Sequence, residues 1–282
     1  MTVRTVAVLG AGTMGHGIAH AAAAAGLETR LYDVSETQLA KAQALVEGVF
    51  RKAVEIGKAS PADADAGVAR LSTSTDLPAS LSDVDFVIEA APEQMDLKLA
   101  LFAAIDRHAP ASAVVTTNTS ALSITEMAGS LSNPARVAGM HFFNPVHKMK
   151  LVEIVRALES SPETLEAIEG LARHMGKETV LVRESPGFIT TRVNASIGNE
   201  AFYMLMEGVA SARDIDKALK LGLNHPMGPF ELVDLVGLDT RLSILEYLHR
   251  SMGEKYRPCP LLAQYVKAGR LGKKVGRGVY EY

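Results

Sequence analysis

The sequence predicts an α/β chain: a doubly wound sheet over residues 1–183, followed by an all-helical C-terminal domain over 184–282. Three observations carry that prediction. The short apolar run Thr5–Leu9, rich in β-branched residues, leads into a glycine-rich turn and a helical stretch. Strand and helix patterns then alternate to about residue 180, the order of a parallel sheet covered on both faces. From Glu184-Ser185-Pro186-Gly187 to Gly253 the strand signal disappears.

A length of 282 residues suits two domains. With 48% hydrophobic and 22% charged residues, the chain has ample material for a core, which excludes intrinsic disorder. Lys+Arg 29 against Asp+Glu 32, net −3, leaves no electrostatic footprint for sequence-blind nucleic-acid binding. The single cysteine, Cys259, excludes an internal disulfide and a multi-thiolate metal site, and fits a reducing, cytoplasmic setting. The chain opens straight into a strand pattern, with no cleavable apolar leader. No apolar stretch reaches the roughly 18 residues of a membrane helix; the alanine run 21–25 is flanked by His20 and Gly26. Neither nucleic acid nor membrane is therefore expected as a partner.

The elements read in order as follows. Strand 5–9, helix 18–25 stopped by Gly26, and strand 29–33 make one βαβ unit of about 30 residues. A helix spans 35 to about 58. Residues 59–67 read as a loop or helix connection whose acids are solvated surface. Strands follow at 85–90, 114–117, 137–143, 151–155 and 180–182, with a helix at 97–107. The C-terminal helices are 188–208, 211–221 and 230–252, punctuated by Gly222 and by Pro226-Met227-Gly228-Pro229. Capping rules have Asp214 opening the second of these and Gly222 following its end.

The glycine turn is Gly10-Ala11-Gly12-Thr13-Met14-Gly15, between a strand and a helix, with Asp33 closing the next strand. In such a Rossmann-like βαβ unit the first glycine permits the tight turn. The second lets backbone approach a pyrophosphate at the helix N-terminus, and the third lets helix and strand pack closely. Asp33 can accept hydrogen bonds from adenosine ribose hydroxyls and repels a 2′-phosphate, so NAD is expected over NADP.

Of eight histidines, most read as structural or exposed. His16 and His20 lie four apart on a helix, but no third metal ligand accompanies them, and no metal is expected. His108, His174 and His249 fall near helix ends, and His147 in a loop. His141 differs. It lies in a strand between Met140 and Phe142, at the carboxyl side of the sheet where open α/β folds bind ligands. Glu153 sits in the next apolar strand, between Val152 and Ile154, where a carboxylate needs a partner to offset its desolvation. Antiparallel pairing around 144–150 would bring 141 and 153 nearly level, giving a base and the group that orients it.

These residues resemble a known family. Gly10 to Ala19, Asn118-Thr119-Ser120, Gly139 to Pro145, Leu151 to Val155, Asn224 to Leu232 and the closing Gly276 to Tyr282 are similar to the short-chain L-3-hydroxyacyl-CoA dehydrogenases, nearest the bacterial 3-hydroxybutyryl-CoA dehydrogenases. The resemblance implies His141 as catalytic base and Glu153 as its orienting partner. It implies that Ser120 contacts the substrate's 3-oxygen near the nicotinamide, and that Asn144 lies at cofactor and active site. Glu93 and Lys98 would line the nicotinamide half of NAD, with Lys274 contributed from the C-terminal tail. It further implies a homodimer, with the helical domain forming the interface and closing over an acyl-CoA. Arg51, Lys52 and Lys58 fall where the family places a basic helical arm near the CoA phosphates; plain surface charge is the competing reading. One position departs from the family. Thr191 stands where an asparagine precedes Arg192, and is read either as a substrate contact or as a residue of the first helical turns.

The implied activity is reversible, NAD-dependent oxidation of an L-3-hydroxyacyl-CoA, in fatty-acid β-oxidation or in reductive butyrate metabolism. Two alternatives share the scaffold: a dehydrogenase of a hydroxy acid lacking CoA, and a non-catalytic NAD-binding protein. The first is separated by kinetics without the CoA moiety. The second has no use for an intact His141, Glu153 and Ser120 set.

Overall fold

A computed structural model describes residues 3–282. The chain divides into two compact units, meeting between Glu184 and Ser185. In the first, the elements run β1 (Thr5–Leu9), α1 (Gly15–Ala24), β2 (Glu28–Tyr32), α2 (Glu36–Glu55), α3 (Pro61–Ala69), β3 (Leu71–Ser74), α4 (Leu77–Leu81) and β4 (Phe86–Glu89). They continue with α5 (Met95–His108), β5 (Val114–Thr117), α6 (Ile124–Ala128), β6 (Val137–Phe142), β7 (Leu151–Arg156), α7 (Pro162–His174) and β8 (Glu178–Arg183).

One eight-stranded sheet has the order β3-β2-β1-β4-β5-β6-β7-β8. The central strands are parallel and wholly buried, which is why β4, β5 and β6 read as runs of apolar or small residues apart from Glu89 and His141. β7 then turns back antiparallel to β6, and β8 runs parallel to β7. Val6, Val8, Ile18, Ala22, Leu31, Phe86, Ile88, Met140, Val152 and Ile168 share one core.

The helices start where side chains can satisfy their first N–H groups. Ser35, Ser60, Asp76 and Ser161 each cap a helix in this way. Ser60 corrects the reading of 59–67 as a connection. Its hydroxyl accepts from Asp63 N at 3.1 Å, Pro61 opens the helix, and Ala64 and Gly67 pack inward to make α3. The sequence also hid β3, a half-exposed edge strand with too few apolar residues to show alternation.

The second unit holds α8 (Thr190–Met206), α9 (Ala212–Gly222), α10 (Pro229–Val236), α11 (Leu238–Met252) and α12 (Pro260–Lys267). The expected single helix over 230–252 is two helices. Gly237, at φ +107, separates α10 from α11 in a conformation only glycine adopts readily. Gly222 belongs to α9, and Ser211 caps that helix, its hydroxyl accepting from Asp214 N at 3.2 Å.

Phe202 and Phe230 meet edge-on at 5.2 Å within the helical core. Two buried carboxylates pin the C-terminal residues there. Asp216 accepts from Phe230 N, Glu231 N and Tyr280 Oη; Asp234 accepts from Val279 N, Tyr280 N and Tyr282 Oη. Burial raises the Asp216 carboxyl above its ordinary range. Burial, with the bond to Asp216, pushes the Tyr280 phenol well up.

His20 on α1 is buried against Phe50, ring centroids 4.4 Å apart, and its Nδ1 has no partner. Burial lowers its pKa to about 4, helped by the nearby His147, Lys177 and His16. A neutral buried imidazole binds fewer protons than the unfolded chain between pH 6.5 and 4, so stability falls as pH drops through that window. The full loss is on the order of 3 kcal/mol. Thermal midpoints at pH 7 and pH 4.5 should therefore differ more in the native chain than in His20→Leu; equal acid sensitivity would contradict this.

Candidate active site

The turn between β1 and α1 is shaped by contacts that exclude a Cβ. Gly10 has φ +107, and a Cβ there would lie 2.7 Å from Ala90 O. A Cβ on Gly15 would lie 1.7 Å from Gly10 O, so helix and turn touch backbone to backbone. Gly12 faces open space, with nothing within 4 Å of an added Cβ. Met14 at the N-cap of α1 provides no side-chain cap, and no acidic residue occupies the first turn. The helix thus presents its N–H groups to an anion that can approach over Gly12.

Asp33 follows β2 and braces this turn. Its Oδ2 accepts from Ala11 N at 2.8 Å, and its Oδ1 accepts from Ser35 N at 3.0 Å. Gln38, which the sequence reading passed over, donates from Nε2 to Ala11 O at 2.9 Å. An exposed-looking glutamine in the first turn of a helix carries no signal of that job.

His141 and Glu153 are direct partners in the antiparallel ladder of β6 and β7. Glu153 is fully buried and His141 is 5% exposed. Nδ1 lies 2.8 Å from Glu153 Oε2, and Nε2 lies 3.1 Å from Ser120 Oγ. A carboxylate can only accept, so Nδ1 carries the proton toward Glu153, and Nε2 of the neutral ring faces the Ser120 hydroxyl. Phe143 packs its ring 4.7 Å from the imidazole.

Ser120 is held by its backbone. Glu93 Oε1 accepts from Thr119 Oγ1 at 2.6 Å, Ser120 N at 2.9 Å and Ala121 N at 3.2 Å. Asn118 Oδ1 accepts from Phe142 N at 2.8 Å, stitching the same turn to the end of β6. Lys98, inside α5, is buried with its Nζ 2.6 Å from Glu89 Oε1 and 3.6 Å from Glu93 Oε2. Glu89 was not singled out from the sequence. It ends an apolar strand, where a carboxylate is ordinary.

The structure thus groups His141, Glu153, Ser120, Glu93 and Lys98 through bonded contacts. Asn144 follows β6, exposed at the start of the 144–150 loop. Arg51, Lys52 and Lys58 are exposed at the end of α2 and just beyond it, and Lys52 pairs with Glu55 at 2.9 Å. Thr191 and Lys274 belong to the second unit. Thr191 is half-buried in the first turn of α8; Lys274 Nζ bonds both Asp239 oxygens at 2.7 Å. Among the described residues no helix is long and apolar enough to cross a membrane.

Sheet order, glycine turn and strand-end acid define a dinucleotide-binding α/β protein. Comparison with known proteins narrows the class. Residues 5–185 match the family described as 3-hydroxyacyl-CoA dehydrogenase, NAD binding domain, and residues 187–282 match its C-terminal domain. The "Probable 3-hydroxybutyryl-CoA dehydrogenase" of Bacillus subtilis is 48% identical over 284 residues, covering 100% of this chain and 98% of its own. The mitochondrial hydroxyacyl-coenzyme A dehydrogenase of Sus scrofa is 39% identical, with 99% and 91% covered. The crystal structure of the (S)-3-hydroxybutyryl-CoA dehydrogenase of Ralstonia eutropha superposes with a TM-score of 0.95 at 43% identity, with 100% and 99% covered. The chain belongs to the 3-hydroxyacyl-CoA dehydrogenase family, and is an oxidoreductase with NAD as its cofactor.

In Gly15→Ala the new methyl group would collide with the Gly10 carbonyl and prise the turn open. Titration of NADH fluorescence should show cofactor binding lost or weakened at least tenfold. Wild-type affinity would mean that the turn can relax without changing its shape.

Proposed function

We propose that the protein oxidises L-3-hydroxyacyl-CoA, with 3-hydroxybutyryl-CoA as substrate, to the 3-oxoacyl-CoA in a reversible reaction, and that His141 and Glu153 are its catalytic pair. The geometry of His141, bonded to Glu153 through Nδ1 and to Ser120 through Nε2, carries this reading. The activities for which the relatives are named support the substrate class.

When bound, NAD supplies the hydride acceptor for C3. The residues fit it: the open face at Gly12 and the uncapped N-terminus of α1 suit a pyrophosphate, and Asp33 suits the ribose hydroxyls. In the substrate complex the 3-hydroxyl takes up the bond that Ser120 Oγ makes to Nε2. His141 accepts the hydroxyl proton at Nε2. Glu153 holds the Nδ1 proton throughout and stabilises the imidazolium that forms. The Ser120 hydroxyl then donates to the reacting oxygen. In the reverse direction the imidazolium returns its proton to the same oxygen. We further propose Asn144, at the start of the 144–150 loop, and Lys274 as cofactor contacts, and Thr191 and the basic trio Arg51, Lys52 and Lys58 as substrate contacts.

We assign dimerisation and substrate covering to the helical region. Large apolar side chains stand exposed on that unit, Leu221 at 77%, Leu223 at 66% and Val193 at 53%, as surfaces buried in a dimer do. The sole cysteine, buried and unpaired with any other, supports a cytoplasmic setting.

Glu153→Gln should preserve fold and NADH affinity while lowering kcat by roughly 100- to 10,000-fold, because it removes the charge that selects the tautomer and favours the imidazolium. A fall below tenfold would make Glu153 a structural partner only. Specificity constants should favour NAD over NADP, since a 2′-phosphate beside Asp33 costs on the order of 1–4 kcal/mol; equal use of the two would refute this role. Light scattering at micromolar concentration should report a dimer, and a particle of 30.0 kDa would contradict it.

A further inference from the structure

Glu89 is a fully buried carboxylate that the proposed reaction does not use. It ends β4, in register with Thr117 at the end of β5. Its Oε1 accepts from Lys98 Nζ at 2.6 Å and from Ala91 N at 2.7 Å, and its Oε2 accepts from Thr117 Oγ1 at 2.5 Å. Charge at such depth persists only when paired and fully hydrogen-bonded.

Its partner makes the arrangement informative. Lys98 is also buried, and it lies between two carboxylates at unequal distances: 2.6 Å from Glu89 and 3.6 Å from Glu93. Glu93 is otherwise committed to Thr119 Oγ1, Ser120 N and Ala121 N. Those bonds define the turn that sets Ser120 Oγ 3.1 Å from His141 Nε2. Because Glu89 satisfies the ammonium, Glu93 is left to hold the turn.

We propose that Glu89 is a positioning residue for this site: by neutralising Lys98 it keeps Glu93 on the 119–121 turn and so holds Ser120 against His141. The proposal deepens the dehydrogenase reading and rests on it for the work that Ser120 does. Without the charge on Glu89, the buried ammonium has Glu93 as its near anion. Lys98 faces Glu93 Oε2, and the turn is held by Oε1 of the same carboxylate, so closing the 3.6 Å pair pulls on the group that holds the turn. A misplacement of Ser120 by about 1 Å costs on the order of 100-fold in rate.

The experiment compares wild type, Glu89→Gln, Lys98→Met and Glu89→Gln/Lys98→Met. It measures kcat at saturating NAD and 3-hydroxybutyryl-CoA, NADH dissociation constants by fluorescence, and thermal midpoints. Glu89→Gln should lower kcat by about 10- to 100-fold and weaken NADH binding. The double variant should exceed Glu89→Gln in kcat and lie within threefold of Lys98→Met, because the cation that would draw Glu93 from the turn is gone. A purely structural Glu89 would lower the midpoint and leave kcat within threefold of wild type, which overturns the proposal. A double variant well below Lys98→Met overturns it too, and that comparison holds even if Glu89→Gln alone does not fold. If wild type fails to oxidise the acyl-CoA, the dehydrogenase reading falls by itself. The NADH titrations then decide on Glu89: weakened binding in Glu89→Gln that the double variant reverses upholds it, and unchanged binding overturns it.

Discussion

The site depends on a reversal of strand direction. Six strands of the sheet run parallel, and β7 then returns antiparallel to β6 across the short 144–150 loop. That turn length sets the register, and the register puts His141 opposite Glu153. Cross-strand neighbours lie about 5 Å apart at Cβ, close enough for an imidazole and a carboxylate to meet with no further adjustment. A slip of one residue in β7 would send Glu153 to the face of the sheet opposite His141. The pair is therefore as rigid as the ladder that carries it. Burial makes the arrangement binding, since Glu153 must be answered by a donor and Nδ1 lies 2.8 Å from it.

The same rule organises the rest of the molecule. Glu89 anchors Lys98 and Thr117 at the ends of β4 and β5. In the helical unit Asp216 and Asp234 gather backbone amides and tyrosine hydroxyls at the C-terminal residues. Each carboxylate lies where several chain segments end, and each fixes loops that packing alone would leave free. Gly278 and Gly272 are needed beside Asp234 because a Cβ on either would collide with it. An apolar core holds each unit together, while these buried acids determine where the loops lie.

The architecture was legible wherever periodicity and a local exception coincided. A carboxylate flanked by Val152 and Ile154 is conspicuous, as is a histidine between Met140 and Phe142, and the loop length implied their pairing. The glycine turn and Asp33 were readable because each glycine answers a separate steric demand. Other features leave no such mark. α3 hides behind an acidic stretch because its helical start depends on one serine and one proline. The break at Gly237 interrupts an otherwise continuous apolar pattern. Lys98 was reached through family resemblance alone, since a lysine on a helix ordinarily faces water. Glu89 was missed because a strand-end acid is common, and its burial depends on α5 folding over it.

The proposed reaction requires Glu153 to fix the His141 tautomer so that Nε2 is the proton acceptor. Nitrogen-15 spectra of the histidine ring, taken at a pH where it is neutral, test this directly. The expected result for His141 is a protonated, pyrrole-type Nδ1 and an unprotonated, pyridine-type Nε2, with that preference lost in Glu153→Gln. A neutral ring protonated at Nε2, or a tautomer indifferent to the loss of Glu153, would contradict it.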